Sequence, residues 1–249
     1  MKTRIICLSV LLLTFGCKKD QRLTLEPTSI TGKECSDCPV IQVSIPTALG
    51  KTKIDNSVNT ALREEVIAIL NFDEETAAST IESAISSFSA AYYDLKEKYT
   101  DESTTWEAKI EGSLTYEGEN ILTIKLDSYL FTGGAHGYST SRFLNFDKKR
   151  GRELERSELF KDMDAFQDFA EEKFRLQEQI PETDPINSTG FMFEGDSFYL
   201  PQNIGYTQNG LQLFYEQYEV ASYADGPITL TVPYIEIEKF MQVPVKQVR

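Results

Sequence analysis

The stretch Trp106–Leu130, WEAKIEGSLTYEGENILTIKLDSYL, carries the pattern that decides the fold. Apolar or small residues alternate with polar ones on both sides of a turn at residues 117–120. The alternating residues are Trp106, Ala108, Ile110, Gly112, Leu114 and Tyr116 before the turn, and Leu122, Ile124, Leu126, Ser128 and Leu130 after it. A period of two around a glycine-containing turn predicts a long antiparallel hairpin with one solvent-exposed face.

Helical patterns lie on both sides of this hairpin. Apolar residues recur at helical spacing over 58–69, and Asp55 is the candidate N-cap of this helix. A second helical pattern over 81–99 forms an aromatic stripe, which we interpret as core. A third helical pattern covers 166–174. Further short strands are predicted at residues 40–45, 139–146, 198–200, 211–215 and 228–232, and a terminal helix at 235–241. Strands in hairpins and helices in blocks predict the α+β class, with antiparallel sheets packed against amphipathic helices in two small, intimately joined subdomains.

The first 16 residues resemble a bacterial lipoprotein signal peptide. Lys2 and Arg4 precede an apolar run over residues 5–15, which is too short to cross a bilayer, because a helix needs ~20 residues for that. We expect Cys17 to be lipidated as the first residue of the mature chain. A lysine pair rather than an aspartate follows it, which favours the outer membrane of a Gram-negative bacterium. Ordinary secretory cleavage nearby, with Cys17 incidental, is the alternative.

The mature chain is strongly acidic. Removal of residues 1–16 takes away Lys2 and Arg4 and leaves 23 basic and 39 acidic residues, a balance of −16. Such a chain is repelled by nucleic acid and by anionic lipid head groups, so we predict no nucleic-acid partner and membrane contact through the lipid anchor only. An acidic surface attracts cationic partners, but it also simply keeps a protein soluble.

The cysteines reduce to one pair in the mature chain. Cys7 leaves with the signal peptide and Cys17 becomes the anchor, which leaves Cys35 and Cys38. Outside the cytoplasm this pair is expected to form a disulfide. Because the loop that it closes is very short, we interpret it as a local staple before the first strand. Thiol chemistry is the alternative, although Pro39 and a β-branched run follow where a redox motif has a helix.

The residue types exclude several classes of enzyme. Since His136 is the only histidine, a zinc site built on several histidines is excluded, and a Ser-His-Asp triad has to use His136. The chain has no Gly-x-Ser-x-Gly motif and no phosphate-binding glycine loop. We predict no metal, no cofactor and no catalytic residue. A carboxylate mechanism of the glycosidase type stays open, because 39 acidic residues make some pair of acids inevitable.

The lone histidine lies in a glycine-rich run whose residues are Gly133, Gly134, Ala135, His136, Gly137 and Tyr138. Glycines let the backbone leave strand geometry at this point. In a structural interpretation the imidazole bonds backbone carbonyls and fixes a turn. In functional interpretations it contacts a ligand or acts in catalysis.

Two longer motifs resemble extracytoplasmic bacterial domains that occur in tandem. The first domain is the accessory domain beside PdaC-type peptidoglycan deacetylases, and the second is similar to the extracellular domain of the lysozyme-sensing anti-sigma factor RsiV. The matching residues include Tyr129, Gly133 to His136, Asn145-Phe146-Asp147, Gly151 and Leu159-Phe160, and then Phe214, Tyr218, Ala221-Ser222-Tyr223, Gly226-Pro227 and Val232-Pro233-Tyr234. The predicted organisation is a signal peptide at 1–16, a polar tether at 17–38, a PdaC-accessory-like domain at 39–138 and an RsiV-like domain at 139–249.

This resemblance implies binding rather than catalysis, because the metal-dependent deacetylase domain has no counterpart in the chain. We expect a lipid-anchored envelope module that recognises lysozyme or a peptidoglycan-type glycan. Candidate contact residues are the 133–138 loop and Tyr199, Tyr206 and Tyr223, whose rings either stack on sugars or pack within the sheet. The alternatives are an enzyme that acts on cell-wall glycan through carboxylates and His136, and a structural partner in an envelope complex.

Overall fold

The computed structural model describes residues 23–73, 77–99 and 104–245. The predicted signal peptide and Cys17 lie outside these ranges. The elements follow in chain order as β1 (Leu25–Thr31), β2 (Val40–Ala48), α1 (Lys53–Leu70), α2 (Ile81–Lys98), β3 (Glu107–Glu117), β4 (Ile121–Phe131), β5 (Tyr138–Asp147), β6 (Arg152–Glu153), α3 (Met163–Glu178), β7 (Asn203–Tyr206), β8 (Leu211–Tyr215), β9 (Ile228–Val232) and α4 (Tyr234–Ile237). In the part of the chain described, no helix is long and apolar enough to cross a membrane.

The strands form two sheets, and the predicted α+β class is confirmed. The larger sheet has the order β1-β2-β3-β4-β5-β6, and the smaller sheet has the order β7-β8-β9. The β2–β3 pair is parallel, because α1 and α2 connect these strands and return the chain to the same end of the sheet. All other pairs are antiparallel. The predicted domain boundary at 138/139 falls at the start of β5, which pairs with β4 over Tyr138–Asp147, so the larger sheet continues past it.

Helices α1 and α2 cover one face of the larger sheet. Val58, Leu62 and Val66 of α1 are fully buried there, in a core shared with Phe88 of α2. Helix α1 begins earlier than predicted, because Thr52 and not Asp55 is its N-cap. Asp55 is the third helical residue, and its carboxylate accepts a 2.9 Å hydrogen bond from the Thr52 backbone N–H in a capping box.

The predicted polar tether is wrong for residues 25–31, which form the edge strand β1. Its pairing with β2 rests on backbone hydrogen bonds, and most of its side chains are exposed, so the sequence there carries no hydrophobic pattern. The predicted end of β2 at Pro46 is also wrong. Pro46 lies beyond Ser44, the last β2 residue paired with β3, so its missing N–H removes no bond from that ladder.

A β-bulge corrects the predicted alternation of the hairpin. The register of β3 shifts between Leu114 and Tyr116, which places one extra residue, Thr115, in that strand. The side chains that follow therefore change face. Tyr116, after the bulge, packs into the core beneath the smaller sheet rather than into the helix-covered core. Leu114, just before the bulge, is 44% exposed rather than buried.

The smaller sheet and α3 enclose a second core rich in aromatic residues, with Phe166 and Phe174 fully buried in it. The strand predicted at 198–200 is wrong, and β7 begins at Asn203 instead. Phe198 and Leu200 are nevertheless buried by their side chains in this core. The predicted terminal helix is reduced to α4, after which Met241 forms a bridge with Phe160.

Polar side chains join the two sheets across what was predicted to be the wet face of the hairpin. The Asn145 amide donates a 2.7 Å hydrogen bond to the carbonyl oxygen of Ile204, and the Thr115 hydroxyl donates one of 2.8 Å to that of Tyr206. The Phe143 ring lies so close to Gly205 that a Cβ there would be 2.1 Å from the ring. The hairpin is therefore covered on both faces near its turn.

An ion cluster after β5 leads to a prediction about pH. Hydrogen bonds from Arg152, the Glu155 backbone N–H and Arg150 lower the pKa of Glu158 to about 2. Because the folded-state pKa lies below the unfolded value, ionised Glu158 stabilises the fold above about pH 4.5, and that contribution is lost as the pH falls towards 2. We expect Glu158→Gln to lower the free energy of unfolding at pH 6.

Urea unfolding of both proteins between pH 6 and pH 2 checks this expectation. The difference in unfolding free energy between wild type and Glu158→Gln should shrink steadily below pH 4.5. Glu182→Gln on an exposed loop provides the matched control, and its difference from wild type should stay near zero throughout. A Glu158→Gln difference that is constant over this range would contradict the assigned role of the cluster.

Candidate functional site

The glycine-rich run forms an exposed loop between β4 and β5. Gly133 and Gly134 have φ angles of +102° and +89°, which favour glycine. A Cβ at either position would meet no atom within 4 Å, so the backbone conformation and not lack of space requires glycine there. The loop holds His136 in an exposed position, and the imidazole Nδ1 lies 3.1 Å from the Gly137 carbonyl oxygen.

The rings of His136, Tyr218 and Tyr223 form what we call the aromatic platform. His136 stacks on Tyr223 with ring centroids 4.4 Å apart and an interplanar angle of 24°, and Tyr218 lies 5.4 Å from Tyr223 on a tilted plane. Tyr218 is 55% exposed and Tyr223 is 37% exposed. Because stacked rings so accessible to solvent bury little of their apolar area, the platform is a candidate contact surface for an apolar ligand face.

The β8–β9 connection holds the two tyrosines in place. The Ser222 hydroxyl donates a 2.5 Å hydrogen bond to the Asp225 carboxylate, which also accepts one of 3.2 Å from the Ser222 backbone N–H. This capping box forms the turn that carries Tyr223. Tyr218 has a φ of +67°, an uncommon conformation for a residue with a side chain, and such conformations cluster at functional sites.

A groove of about 400 Å³ begins at the platform and runs along β5. Its apolar lining comes from Tyr129, Phe214 and Pro227 beside the rings of His136 and Tyr223. Its polar lining comes from Ser139 to Ser141, Glu216 and Gln217. Aromatic walls with a few hydrogen-bonding groups are typical of small-ligand sites.

Glu216 is the charged group of this groove. Its carboxylate oxygen Oε1 accepts a 2.8 Å hydrogen bond from the backbone N–H of Ser141 on β5. Burial raises the pKa of Glu216, the Ser141 N–H acts against that shift, and the nearby Glu219 adds to it. The groove therefore holds a half-buried carboxylate whose Oε1 accepts hydrogen bonds from the Ser141 backbone N–H and, at 3.5 Å, from the Asn203 side-chain amide.

Glu216→Gln is expected to raise the melting temperature at pH 7 by a few degrees. The amide oxygen still accepts the Ser141 hydrogen bond, and the cost of burying an ionised carboxylate is removed. The folded-state pKa is raised, so wild type becomes relatively more stable as the pH falls and Glu216 becomes protonated. Thermal unfolding at pH 7 and pH 4 checks this, since the advantage of the variant should be smaller at pH 4. A variant less stable than wild type at pH 7 would contradict it.

A second groove of about 850 Å³ continues the first along β5, and the two share Thr140, Ser141 and Glu216. At its far end Arg142 Nε lies 2.8 Å from Glu65 Oε1. Burial raises the pKa of Glu65 and of Glu153, while the Arg142 guanidinium lowers both. Among the described residues, no group of three or more His, Cys, Asp and Glu side chains has an arrangement that holds a metal ion.

Several predicted contact residues lie away from the platform. Tyr206 is fully buried in the second core, so it is not available to a ligand, and burial raises the pKa of its hydroxyl strongly. The Tyr199 hydroxyl donates a 3.1 Å hydrogen bond to the Glu219 carbonyl oxygen, and its ring packs on Phe193. Tyr138 is exposed, but successive side chains along a strand point to opposite faces of the sheet. Tyr138 therefore points to the helix-covered side, as Leu144 and Phe146 of the same strand do.

Of the predicted contact residues, the structure brings His136 and the distant Tyr223 together at the platform. Gly133, Gly134 and Ala135 belong to the same loop as His136 but are not part of that contact. Sequence reasoning missed Tyr218 and Glu216 as site residues. Tyr218 belongs to the motif on which the family resemblance rests, and that motif was the signal that could have identified it. Nothing in the local pattern marked Glu216, because its role depends on its contact with β5. Cys35 and Cys38 form a disulfide, and they are distant in sequence from the platform residues.

The fold and groove define an α+β protein of two joined sheets with an exposed aromatic site. A family model described as "Deacetylase PdaC" matches residues 33–139, and one described as "Protein of unknown function (DUF3298)" matches residues 157–235. The two matched regions therefore lie in tandem, as the motifs predicted, and both are of unknown function.

Two solved structures share the fold. A DUF3298 family member from Bacteroides fragilis NCTC 9343 superposes with a TM-score of 0.67 at 21% identity, over 88% of this chain and 94% of that one. A DUF3298 family protein from Pseudomonas aeruginosa PAO1 gives a TM-score of 0.64 at 20% identity, over 91% and 99% of the two chains. At this identity the likeness shows the fold alone. No curated protein matches the sequence.

Proposed function

We propose that this protein is a lipid-anchored, non-catalytic module of the bacterial cell envelope that binds peptidoglycan-type glycan at the aromatic platform. The exposed stack of His136 on Tyr223, beside a groove with polar groups, is the observation that carries this proposal. The C–H faces of pyranose rings are apolar, and they pack on the negative faces of aromatic rings, while serine, threonine and carboxylate groups bond sugar hydroxyls.

The surroundings of His136 support binding over catalysis. The Nδ1 atom of the ring lies 3.1 Å from a backbone carbonyl oxygen, and its face is stacked on Tyr223. In the described ranges no carboxylate or serine side chain is hydrogen-bonded to the imidazole, so no arrangement of the Ser-His-Asp type is assembled there. A glycan hydrolase that uses carboxylates is the competing function, with Glu65 and Glu153 of the second groove as its acids.

The proposed cellular location of the protein rests on residues outside the described ranges. The signal-like first 16 residues and Cys17 favour export and lipidation, and the lysine pair after Cys17 favours the outer membrane of a Gram-negative cell. Membrane extraction with detergent, followed by mass measurement of the N-terminal peptide, tests this part. A diacylated or triacylated Cys17 supports the anchor, and an unmodified Cys17 contradicts it.

Lysozyme is a second candidate ligand, which the charge of the chain favours. The balance of −16 in the mature chain attracts a basic protein and speeds its encounter more than it tightens the complex. The resemblance to a lysozyme-sensing domain points the same way. A structural role in an envelope complex is a further candidate function, and it predicts affinity for neither ligand.

Calorimetric titration of the mature protein with peptidoglycan fragments and with lysozyme, at low salt and at ~0.15 M salt, tests these ligands. Surface charge is screened beyond ~8 Å at the higher salt, so contact-driven binding survives it and pure charge attraction does not. We expect saturable fragment binding at both salt concentrations and unchanged fragments by mass spectrometry. Cleaved fragments would show that the protein is a hydrolase. The absence of a heat signal with both ligands would leave a structural role in an envelope complex as the remaining candidate function.

A further inference from the structure

The two sulfur atoms of the Cys35–Cys38 disulfide have different surroundings. The pair lies in the connection between β1 and β2. Cys35 is exposed, whereas Cys38 is only 6% exposed. An attacking thiol in solution therefore reaches Cys35 more readily than Cys38.

A hydroxyl group is placed against the buried sulfur. Tyr93 of α2 donates a hydrogen bond from its hydroxyl to Cys38 Sγ, 3.2 Å away. If the disulfide opens, the same hydroxyl is in position to stabilise a thiolate on Cys38. Thiol–disulfide exchange is faster when the leaving sulfur is the better-stabilised thiolate.

The sheet does not depend on the disulfide for its local pairing. The backbone N–H of Val40 donates a 2.8 Å hydrogen bond to the Trp106 carbonyl oxygen, and that of Gly32 donates one of 3.0 Å to the Ile41 carbonyl oxygen. These bonds fix both ends of the connection to the larger sheet. Opening the short loop between the cysteines leaves them in place.

From this asymmetry we infer that Cys35–Cys38 is a thiol–disulfide exchange site, in which the thiolate of an envelope thiol or dithiol protein attacks the Cys35 sulfur. A bond forms between the incoming sulfur and Cys35, the Cys35–Cys38 bond breaks, and Cys38 leaves as a thiolate. A second thiolate then attacks the incoming sulfur and releases Cys35. The chain gains two electrons and, after protonation, two thiols, while the partner is oxidised to a disulfide. This inference does not depend on the proposed glycan function.

Reduced glutathione serves as the probe in the test. The full chain, extracted in detergent, is exposed to reduced glutathione without denaturant, acid-quenched and alkylated with N-ethylmaleimide. Trypsin then releases the peptide Glu34–Lys51, which holds both cysteines and neither Cys7 nor Cys17. Mass spectrometry locates the glutathionyl group within this peptide. Tyr93→Phe is measured beside Tyr99→Phe, a control at the exposed C-cap of α2.

We expect the glutathionyl group on Cys35 in about tenfold excess over Cys38, because access selects the sulfur that is attacked. Tyr93→Phe should slow reduction about fivefold, the rate equivalent of one ordinary hydrogen bond, and Tyr99→Phe should not change it. A glutathionyl group divided evenly or found mainly on Cys38 would overturn the proposal. So would a disulfide that resists reduction until the protein is unfolded, or equal rates for wild type and Tyr93→Phe.

Discussion

Replacing Asn145 with alanine is expected to lower the free energy of unfolding by about 3 kcal/mol, because two buried partners lose their hydrogen bonds at once. The Asn145 oxygen accepts a 2.9 Å bond from the Thr123 hydroxyl, and its amide donates a 2.7 Å bond to the Ile204 carbonyl oxygen. Thr123 is fully buried and Ile204 nearly so, so water does not replace these bonds without disturbing the packing.

This substitution also tests how the two sheets are joined. Asn145 lies on β5 and Ile204 on β7, so the bond crosses from one sheet to the other. Urea unfolding followed by far-ultraviolet circular dichroism gives the free energy, with Asn209→Ala in the exposed β7–β8 turn as the matched control. The control should change stability by less than about 0.5 kcal/mol. An Asn145→Ala protein as stable as this control would contradict the role assigned to the bond.

Replacing Tyr223 with alanine is expected to weaken the binding of peptidoglycan fragments at least about tenfold, which corresponds to ~1.4 kcal/mol. Tyr223 is the middle ring of the aromatic platform and contacts both His136 and Tyr218. Its loss removes one stacking surface and leaves the other two rings without the neighbour that orients them. His136→Ala removes one ring only and should weaken binding less.

Calorimetry with the same fragments measures both effects. Tyr99→Ala is the matched control, since Tyr99 is 62% exposed and lies at the end of α2. Its affinity should equal that of wild type. Thermal unfolding of Tyr223→Ala should remain within a few degrees of wild type, because the ring is partly exposed and belongs to neither core. Equal losses for Tyr223→Ala and Tyr99→Ala would contradict a specific platform.

The fold class followed from the sequence where hydrophobic periodicity decides the structure. The hairpin of β3 and β4, the helices α1 to α3 and the strands β8 and β9 each bury a regular pattern, and each was predicted close to its observed range. The edge strand β1 was not predicted, because its stability comes from backbone pairing with β2 and most of its side chains are exposed. The bulge at Thr115 was not predicted either, because one extra residue leaves the composition and the alternation of the residues before it unchanged.

The candidate site was predicted only in part, for a related reason. The glycine-rich loop was recognisable because positive φ angles at Gly133 and Gly134 require glycine. The stacking of His136 on Tyr223 joins residues far apart in the chain, and no local pattern indicates such a contact. Tyr206 and Tyr223 were both predicted as contact residues, but Tyr206 is buried. Burial depends on the position of β7 against β5, which the sequence of β7 alone does not determine.

Hydrogen–deuterium exchange with and without peptidoglycan fragments tests the central claim of a glycan-binding aromatic platform most directly. The proposal predicts slower exchange in two segments that meet only in the folded structure, residues 132–141 and residues 216–227, with little change in α2 or β1. Protection confined to other segments, or no protection at fragment concentrations that saturate the calorimetric signal, would contradict it.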